Sequence, residues 1–291
     1  LSVVALAPPT TARAYHTNKE RLLDTTAYTL HRGEARLGLM KLSFGVFKWL
    51  QFSTYTVPWL LGLVLDDLET FGSPNIEFKS TLLNRHRFAL SVSAAFVWGR
   101  VSTCTDPVAQ QDPNNPDRIV TCVMDDEFTD IDWLVFPLSV TSSVRINSRV
   151  SVHIGAQYTA TTAAGASQPA DTEVSGSAVV DMLQIYGMFE WRLSRVVALT
   201  LTTRWLPYVS QTVVRGEFVI DEDTGAVIGV EVDVLDDNAF AVIPGAVFSW
   251  RRANLRLGVG YGAFFAEPFG LVVPASVLNY ISPEFDVFVR F

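Results

Sequence analysis

The sequence predicts an all-β protein: a single closed antiparallel β-barrel of about twelve strands, with ten as the other even count, crossing a membrane. Three observations point there. First, 49% of the residues are hydrophobic, yet the longest unbroken apolar stretch, Val57 to Leu65, is short and contains Pro58 and Gly62; a helical span needs about 20 residues. Second, from Glu34 onward the chain repeats runs with partial period-two alternation, which puts apolar side chains on one face and polar ones on the other. Third, short turns and long polar connections alternate between those runs. Composition alone would also suit a large soluble β-sandwich, and the two ends of the chain favour the membrane. Nothing marks an interdomain linker.

The strands are justified in chain order as follows. Runs at about 35–44 and 49–57 come first, and Leu60 to Phe71 suits a short helix in the connection that follows. Runs at about 75–83 and 87–102 meet at Asn84-Arg85-His86; in the second, Phe88, Leu90, Val92, Ala94, Phe96 and Trp98 share one face, and Ser91, Ser93, Ala95 and Gly99 the other. Runs at about 131–143 and 148–160 meet near Arg145 to Asn147, and those at about 177–191 and 196–210 meet near Arg192 to Arg195. Runs at about 239–250 and 254–266 flank Arg251 to Asn254, and the last covers about 282–291. In Leu255 to Ala263, Leu255, Leu257, Val259 and Tyr261 alternate with Arg256, Gly258, Gly260 and Gly262. Glycines at that density imply a tightly curved wall or a lumenal segment lying on them. Long loops are expected near 103–129, 161–175, 211–237 and 267–281.

The final run is the most telling. Phe285, Val287, Val289 and Phe291 fall on one face and Glu284, Asp286 and Arg290 on the other, with only Phe288 breaking the alternation. In this strand, ending on Phe, the sequence resembles bacterial outer-membrane β-barrel proteins. The resemblance is one of architecture over about residues 22–291 and names no subfamily. It implies that Phe285, Val287, Val289 and Phe291 form a signal read by the barrel-assembly machinery. It also implies that both termini lie in the periplasm, which requires an even strand number. Eleven runs are counted above, so a twelfth strand is expected in Leu22 to Leu30 despite its poor alternation; alternatively Tyr15 to Leu30 lies in the lumen. Trp191, Trp250 and Phe291 near periplasmic ends, and Trp98 near an outer end, suit interfacial girdles.

At the other end, apolar Leu1 to Ala7 leads to Ala12-Arg13-Ala14, an A-x-A pattern. Residues 1–14 therefore read as the end of a signal peptide and 15–291 as the mature barrel, or else the start is a disordered apolar tail. Cys104 and Cys122 bracket a polar loop and suggest a disulfide, with two unpaired thiols as the alternative.

Sixteen of the 30 acidic residues lie in Thr103 to Asp132 and Gln211 to Asp237. Such loops would draw cations, or divalent ions shared with lipopolysaccharide, although solvated loops need no ligand at all. Asp221-Glu222-Asp223-Thr224-Gly225 lacks the spacing of a calcium loop and reads as a hairpin turn. Lumen-facing candidates are Arg36, His153, Gln157, Gln184, Glu190, Arg204, Arg256, Glu284, Asp286 and Arg290. Charges on an inner wall either set ion selectivity or pair and block a narrow barrel.

No G-x-S-x-G, H-E-x-x-H or phosphate-binding loop occurs, so no enzyme, catalytic residue, metal or cofactor is expected. His153 with a neighbouring serine such as Ser139 is the one pair to check. The net charge of -8 and the lack of a basic stripe argue against nucleic acid. The leading expectation is a passive channel for small solutes or ions. The alternative is a non-conducting structural or surface-binding barrel that uses its acidic loops, and a lipid-modifying enzyme comes third. Expected partners are outer-membrane lipids and lipopolysaccharide, the barrel-assembly machinery, and small solutes or cations.

Overall fold

A computed structural model describes residues 23, 25–56, 75–104, 110–112, 115–120, 128–167, 174–215, 239–250, 252–263, 265–266, 271–272 and 281–291. Its strands are β1 (Ala35–Gly38), β2 (Lys41–Phe47), β3 (Leu50–Tyr55), β4 (Asn75–Asn84), β5 (Phe88–Cys104), β6 (Gln110–Asp112), β7 (Asn115–Val120) and β8 (Phe128–Arg145). They continue with β9 (Val150–Ser167), β10 (Val174–Arg192), β11 (Val197–Arg215), β12 (Phe240–Trp250), β13 (Ala253–Gly262), β14 (Phe265–Ala266), β15 (Leu271–Val272) and β16 (Ser282–Arg290). Twelve of them close a single antiparallel barrel in the order β1-β16-β13-β12-β11-β10-β9-β8-β5-β4-β3-β2. The remaining four form two small hairpins, β6 with β7 and β14 with β15. No described helix is long and apolar enough to cross a membrane.

Closure is made by β1 against β16, where Arg36 faces Arg290 and Gly38 faces Phe288. Five hairpins, β2–β3, β4–β5, β8–β9, β10–β11 and β12–β13, turn tightly at the end where Glu34 and Phe291 also lie, the turn end; the other strand-to-strand connections lead away from it, the longer ones toward the loop end. Asn147 caps the β8–β9 turn by accepting the Arg149 and Val150 amides, and Ser194 does the same for Val196 and Val197 after β10. These are the short polar side chains that favour such turns.

The count of twelve holds, but one strand is not where the sequence placed it. Residues 25–30 form no strand; they lie inside the barrel, as the lumenal alternative had it. The missing strand comes from the run at 35–44, which divides at Leu39-Met40 into β1 and β2. A phase slip in the sequence marks the break: Arg36 points inward at an even position, whereas Lys41, Ser43 and Gly45 point inward at odd ones. The turn is tight, since a Cβ on Gly38 would sit 2.9 Å from the Lys41 carbonyl oxygen.

Two further boundaries move. The connection expected at 161–175 is largely a ribbon, because β9 and β10 stay paired up to Ser167 opposite Val174. The run expected at 254–266 leaves the barrel at Gly262, whose φ of 119° is open to glycine but rarely to other residues. The glycines of β13 reflect the curved wall, since a Cβ on Gly260 would strike the Val242 carbonyl of β12, while Gly258 sits against Ile243 and Glu284. Elsewhere a cross-strand ring fills the space over an inward glycine: Trp133 covers Gly99 and Tyr186 covers Gly155.

The outside is apolar and the inside polar. Phe78, Phe136, Leu138, Ile154, Leu201, Leu257 and Val259 are exposed on the outer face. Trp49, Trp191, Trp250 and Phe291 lie exposed near the turn end, where Phe47 stacks on Trp49 and Phe248 on Trp250. Trp98, Trp205, Tyr208, Phe240 and Tyr261 are exposed nearer the loop end. In water so large an apolar surface would drive aggregation; against hydrocarbon it is satisfied. The signal peptide at 1–14, the helix at 60–71, the Asp221 turn and the Cys104–Cys122 bridge lie wholly or partly outside the described residues.

Candidate functional site

The site is the lumen at the turn end, and its central element is the chain's own segment 25–31. A turn donates the Thr26 amide to the Leu23 carbonyl, and the chain then crosses the barrel to His31 before rising into β1. Thr26, Ala27 and Leu30 have no exposed surface, and Leu23 and Tyr28 have little.

Backbone polar groups inside a barrel must find partners, and the wall supplies them from several strands. Lys79 of β4 donates to the Thr26 carbonyl at 2.6 Å, and Thr81 donates to the Ala27 carbonyl at 3.1 Å. The Ala27 amide donates to Ser143 Oγ of β8 at 2.8 Å, and the Leu30 amide to Gln51 Oε1 of β3 at 3.1 Å. Thr29 reaches the Lys48 carbonyl, and Thr25 the Met188 sulfur. At Gly45 the missing side chain leaves room for the His31 carbonyl. Apolar contacts complete the seat: Leu23 packs with Met188, Val247 and Phe288, and Ala27, Tyr28 and Leu30 pack with Ala89. Segment 25–31 is therefore a plug whose backbone is bonded to one arc of the wall, β3, β4 and β8, while Thr25 and the preceding Leu23 meet the far side at Met188. Burial pushes the Tyr28 phenol above its ordinary range, with Arg145 pulling it back and Glu190 adding to the rise.

Beyond the plug the inner wall carries paired charges. Arg36 pairs with Asp286 at 2.5 Å and lies 4.1 Å from the centre of the Phe288 ring. Glu284 is shared by Arg256 at 2.7 Å and Arg204 at 3.4 Å, and Arg256 also donates to Thr202. Lys41 pairs with Glu77 at 2.6 Å, and Tyr55 donates to the same carboxylate. Arg290 holds Glu34. A buried pair gains little net stability but is costly to break from one side, so these pairs fix one arrangement of the wall.

Arg36, His153, Gln184, Glu190, Arg204, Arg256, Glu284, Asp286 and Arg290 are buried on the inner face, and Gln157 is half-buried there. They do not form one cluster: Gln157 donates to Thr159, and the charged residues divide among the groups above and the His153 site. His153 is bonded to Ser143 at 2.7 Å, not to Ser139, which bonds Ser93. Its other ring nitrogen faces Glu190 at 3.7 Å. Phe285, Val287 and Phe291 face outward, and Val289 is half-buried.

Sequence reasoning missed the plug anchors Lys79, Thr81, Ser143 and Gln51. A signal was available: Met188, Val247 and Phe288 are apolar at inward positions on three different strands, which makes sense only if something packs on them inside. Among the described residues no cluster of His, Cys, Asp or Glu is arranged to hold a metal.

Closed antiparallel strands, an apolar exterior and a charged interior define a β-barrel of the outer-membrane type. No family model and no curated protein matches the chain. Solved structures that match include one described as outer-membrane expressed OmpT of Vibrio cholerae; it is 10% identical and covers 86% of this chain and 79% of its own, with a TM-score of 0.24. A similarity that low carries no functional argument.

Proposed function

We propose that this chain is a bacterial outer-membrane β-barrel that is closed at rest. It works as a structural or surface-binding barrel whose loop end is the contact face, and not as an open channel. The plug carries this reading, since segment 25–31 crosses the lumen with its backbone bonded to β3, β4 and β8. An open pore needs a wetted path, and the described lumen at this level is filled by buried side chains. Lipid and lipopolysaccharide would meet the apolar outer face, and the acid-rich segments 103–132 and 211–237 would offer contacts for cations or lipopolysaccharide at the loop end. The outward Phe285, Val287 and Phe291 suit recognition by assembly machinery. We assign no catalytic role: the Ser143–His153 pair is covered by the plug.

The test is conductance of the purified full chain in planar bilayers at neutral pH. No steps above background are expected from the unaltered protein, and steps are expected once residues 1–30 are deleted and heat-modifiable gel mobility shows that the barrel still forms. Steady conductance from the unaltered chain would overturn the reading in favour of a channel.

A further inference from the structure

We propose that one arc of the turn end, formed by the hairpins β4–β5, β8–β9 and β10–β11, binds the headgroups of anionic membrane phospholipids. This deepens the proposed function: it rests on the barrel standing in a bilayer, and holds whether the lumen is closed or open.

The five tight turns are alike in charge. Lys48, Arg85, Arg87, Arg149 and Arg195 are exposed there and Arg252 is half-buried, so each turn presents at least one cation. Among the described residues no carboxylate is exposed at this end: Glu34 is held by Arg290, and Glu190 is fully buried. No ion pair among the described residues engages Arg85, Arg87, Arg149 or Arg195. The acid-rich segments 103–132 and 211–237 belong instead to connections at the loop end.

Three of the turns form one continuous rim. The Arg145 amide donates to the Arg87 carbonyl at 2.8 Å, joining β4–β5 to β8–β9, and the Arg192 amide donates to the Arg149 carbonyl at 2.8 Å, joining β8–β9 to β10–β11. Neighbouring strands lie about 4.8 Å apart, so successive hairpins repeat their cations about every 10 Å. The β8–β9 and β10–β11 turns also share a construction. An arginine follows the capping residue in each, Arg149 after Asn147 and Arg195 after Ser194, and an apolar side chain precedes it, Ile146 or Leu193. Ile146 is 55% exposed and Leu193 48%. They follow the outward Val144 and Trp191 at alternate positions, and so carry the apolar outer face down to the row of cations.

That combination favours a lipid. A soluble anion or a wall polysaccharide has no use for exposed Ile146 and Leu193 beside the arginines, whereas a phospholipid brings acyl chain and phosphate in one molecule. The aromatic girdle fixes the level, since girdle residues sit at the membrane–water interface. Trp191 lies two residues from Leu193, and in the neighbouring β12–β13 turn the Arg252 guanidinium is 5.8 Å from the centre of the Phe291 ring. A guanidinium at that level can hold a phosphate through two parallel hydrogen bonds. A zwitterionic headgroup carries its own ammonium, which a row of cations repels, so the row selects headgroups of net negative charge.

Electron paramagnetic resonance of trace spin-labelled phosphatidylglycerol, against spin-labelled phosphatidylcholine, reports which headgroup the full chain prefers in phosphatidylcholine vesicles. Phosphatidylglycerol should be favoured about fivefold at low salt, the factor one basic residue contributes beside an anionic surface. The preference should vanish in about 1 M salt, where charges are screened within about 3 Å. Replacing Arg87, Arg149 and Arg195 together by Gln should bring it below about twofold, with heat-modifiable mobility retained. Asp132→Asn, exposed toward the loop end, should leave it unaltered. Equal association of both lipids with the unaltered chain overturns the proposal, as does a preference that survives high salt or the triple substitution, or one that Asp132→Asn removes. Should the triple variant not fold, Arg149→Gln and Arg195→Gln are measured singly, and each must lower the preference. Retention on purified peptidoglycan that the triple substitution abolishes, together with equal lipid association, would assign the arc to a wall polymer and overturn the proposal as well. A chain that fails to enter vesicles defeats the proposed function itself, whereas equal association in an incorporated barrel defeats only the headgroup site.

Discussion

Lys79 and Thr26 meet across the lumen, the ammonium of β4 donating to a plug carbonyl at 2.6 Å with both residues buried. Fifty-three residues separate them in the chain. The contact shows why the interior charge of this barrel is not merely a hydrophilic lining. Lys79 is a strut, and the chain's own backbone is what it supports.

Replacing the strut should loosen the plug without opening the wall. A hydrogen bond to a charged group contributes about 1.5–3 kcal/mol, so Lys79→Met should lower plug protection in hydrogen exchange by at least tenfold. Heat-modifiable mobility should persist. Protection equal to that of the unaltered chain would show that Lys79 carries none of the seat.

Gly45 tests the seat from the other side. A side chain there would run into the His31 carbonyl, which is backbone and cannot swing away. Gly45→Val should displace the plug at a cost of about 1–3 kcal/mol, read as faster exchange over residues 23–31 and as single-channel steps in bilayers. The same change at Gly33, whose Cβ would meet nothing but whose φ is 78°, should strain the backbone without filling the plug's space.

Glu284 holds two guanidinium groups, so losing it should cost more than losing either arginine. Glu284→Gln leaves Arg204 and Arg256 facing each other in a buried site, and removal of one partner of a buried pair costs about 3–5 kcal/mol. Arg204→Leu should cost less, because Arg256 keeps the carboxylate at 2.7 Å. Urea denaturation followed by the heat-modifiable gel shift ranks the two, and the reverse order would refute the assignment.

Phe288 supports the plug through packing. Its ring lies against Leu23, Met188 and Val247 and under the Arg36 guanidinium. Phe288→Ala should destabilise by about 3–5 kcal/mol, whereas Phe285→Ala on the outer face of the same strand should cost much less in detergent. Thermal midpoints in one detergent separate them.

Much of the barrel was legible in the sequence. In β5, β9, β10, β11, β13 and β16 the period-two pattern indicated which residues turned inward, because a one-residue slip would turn every side chain to the wrong solvent. The tight turns were marked by short polar residues such as Asn147 and Ser194. Errors gathered where pattern gave way to context: Gly38 to Lys41, where the phase slips within a run that otherwise alternates, and Thr161 to Ser167, where small residues read as a loop yet pair as a ribbon.

Phe288 draws the boundary. Alternation along one strand determined that Phe285, Val287 and Phe291 face outward and that Glu284, Asp286 and Arg290 face inward, because strand geometry is local. It gave no account of an aromatic residue on the polar side. Only closure of the barrel, which brings Phe288 together with Met188, Val247 and Leu23, shows that the lumen has an apolar floor and a plug resting on it. The residues that meet there lie on different strands far apart in the chain, and no pattern within a single strand records which of them will be neighbours.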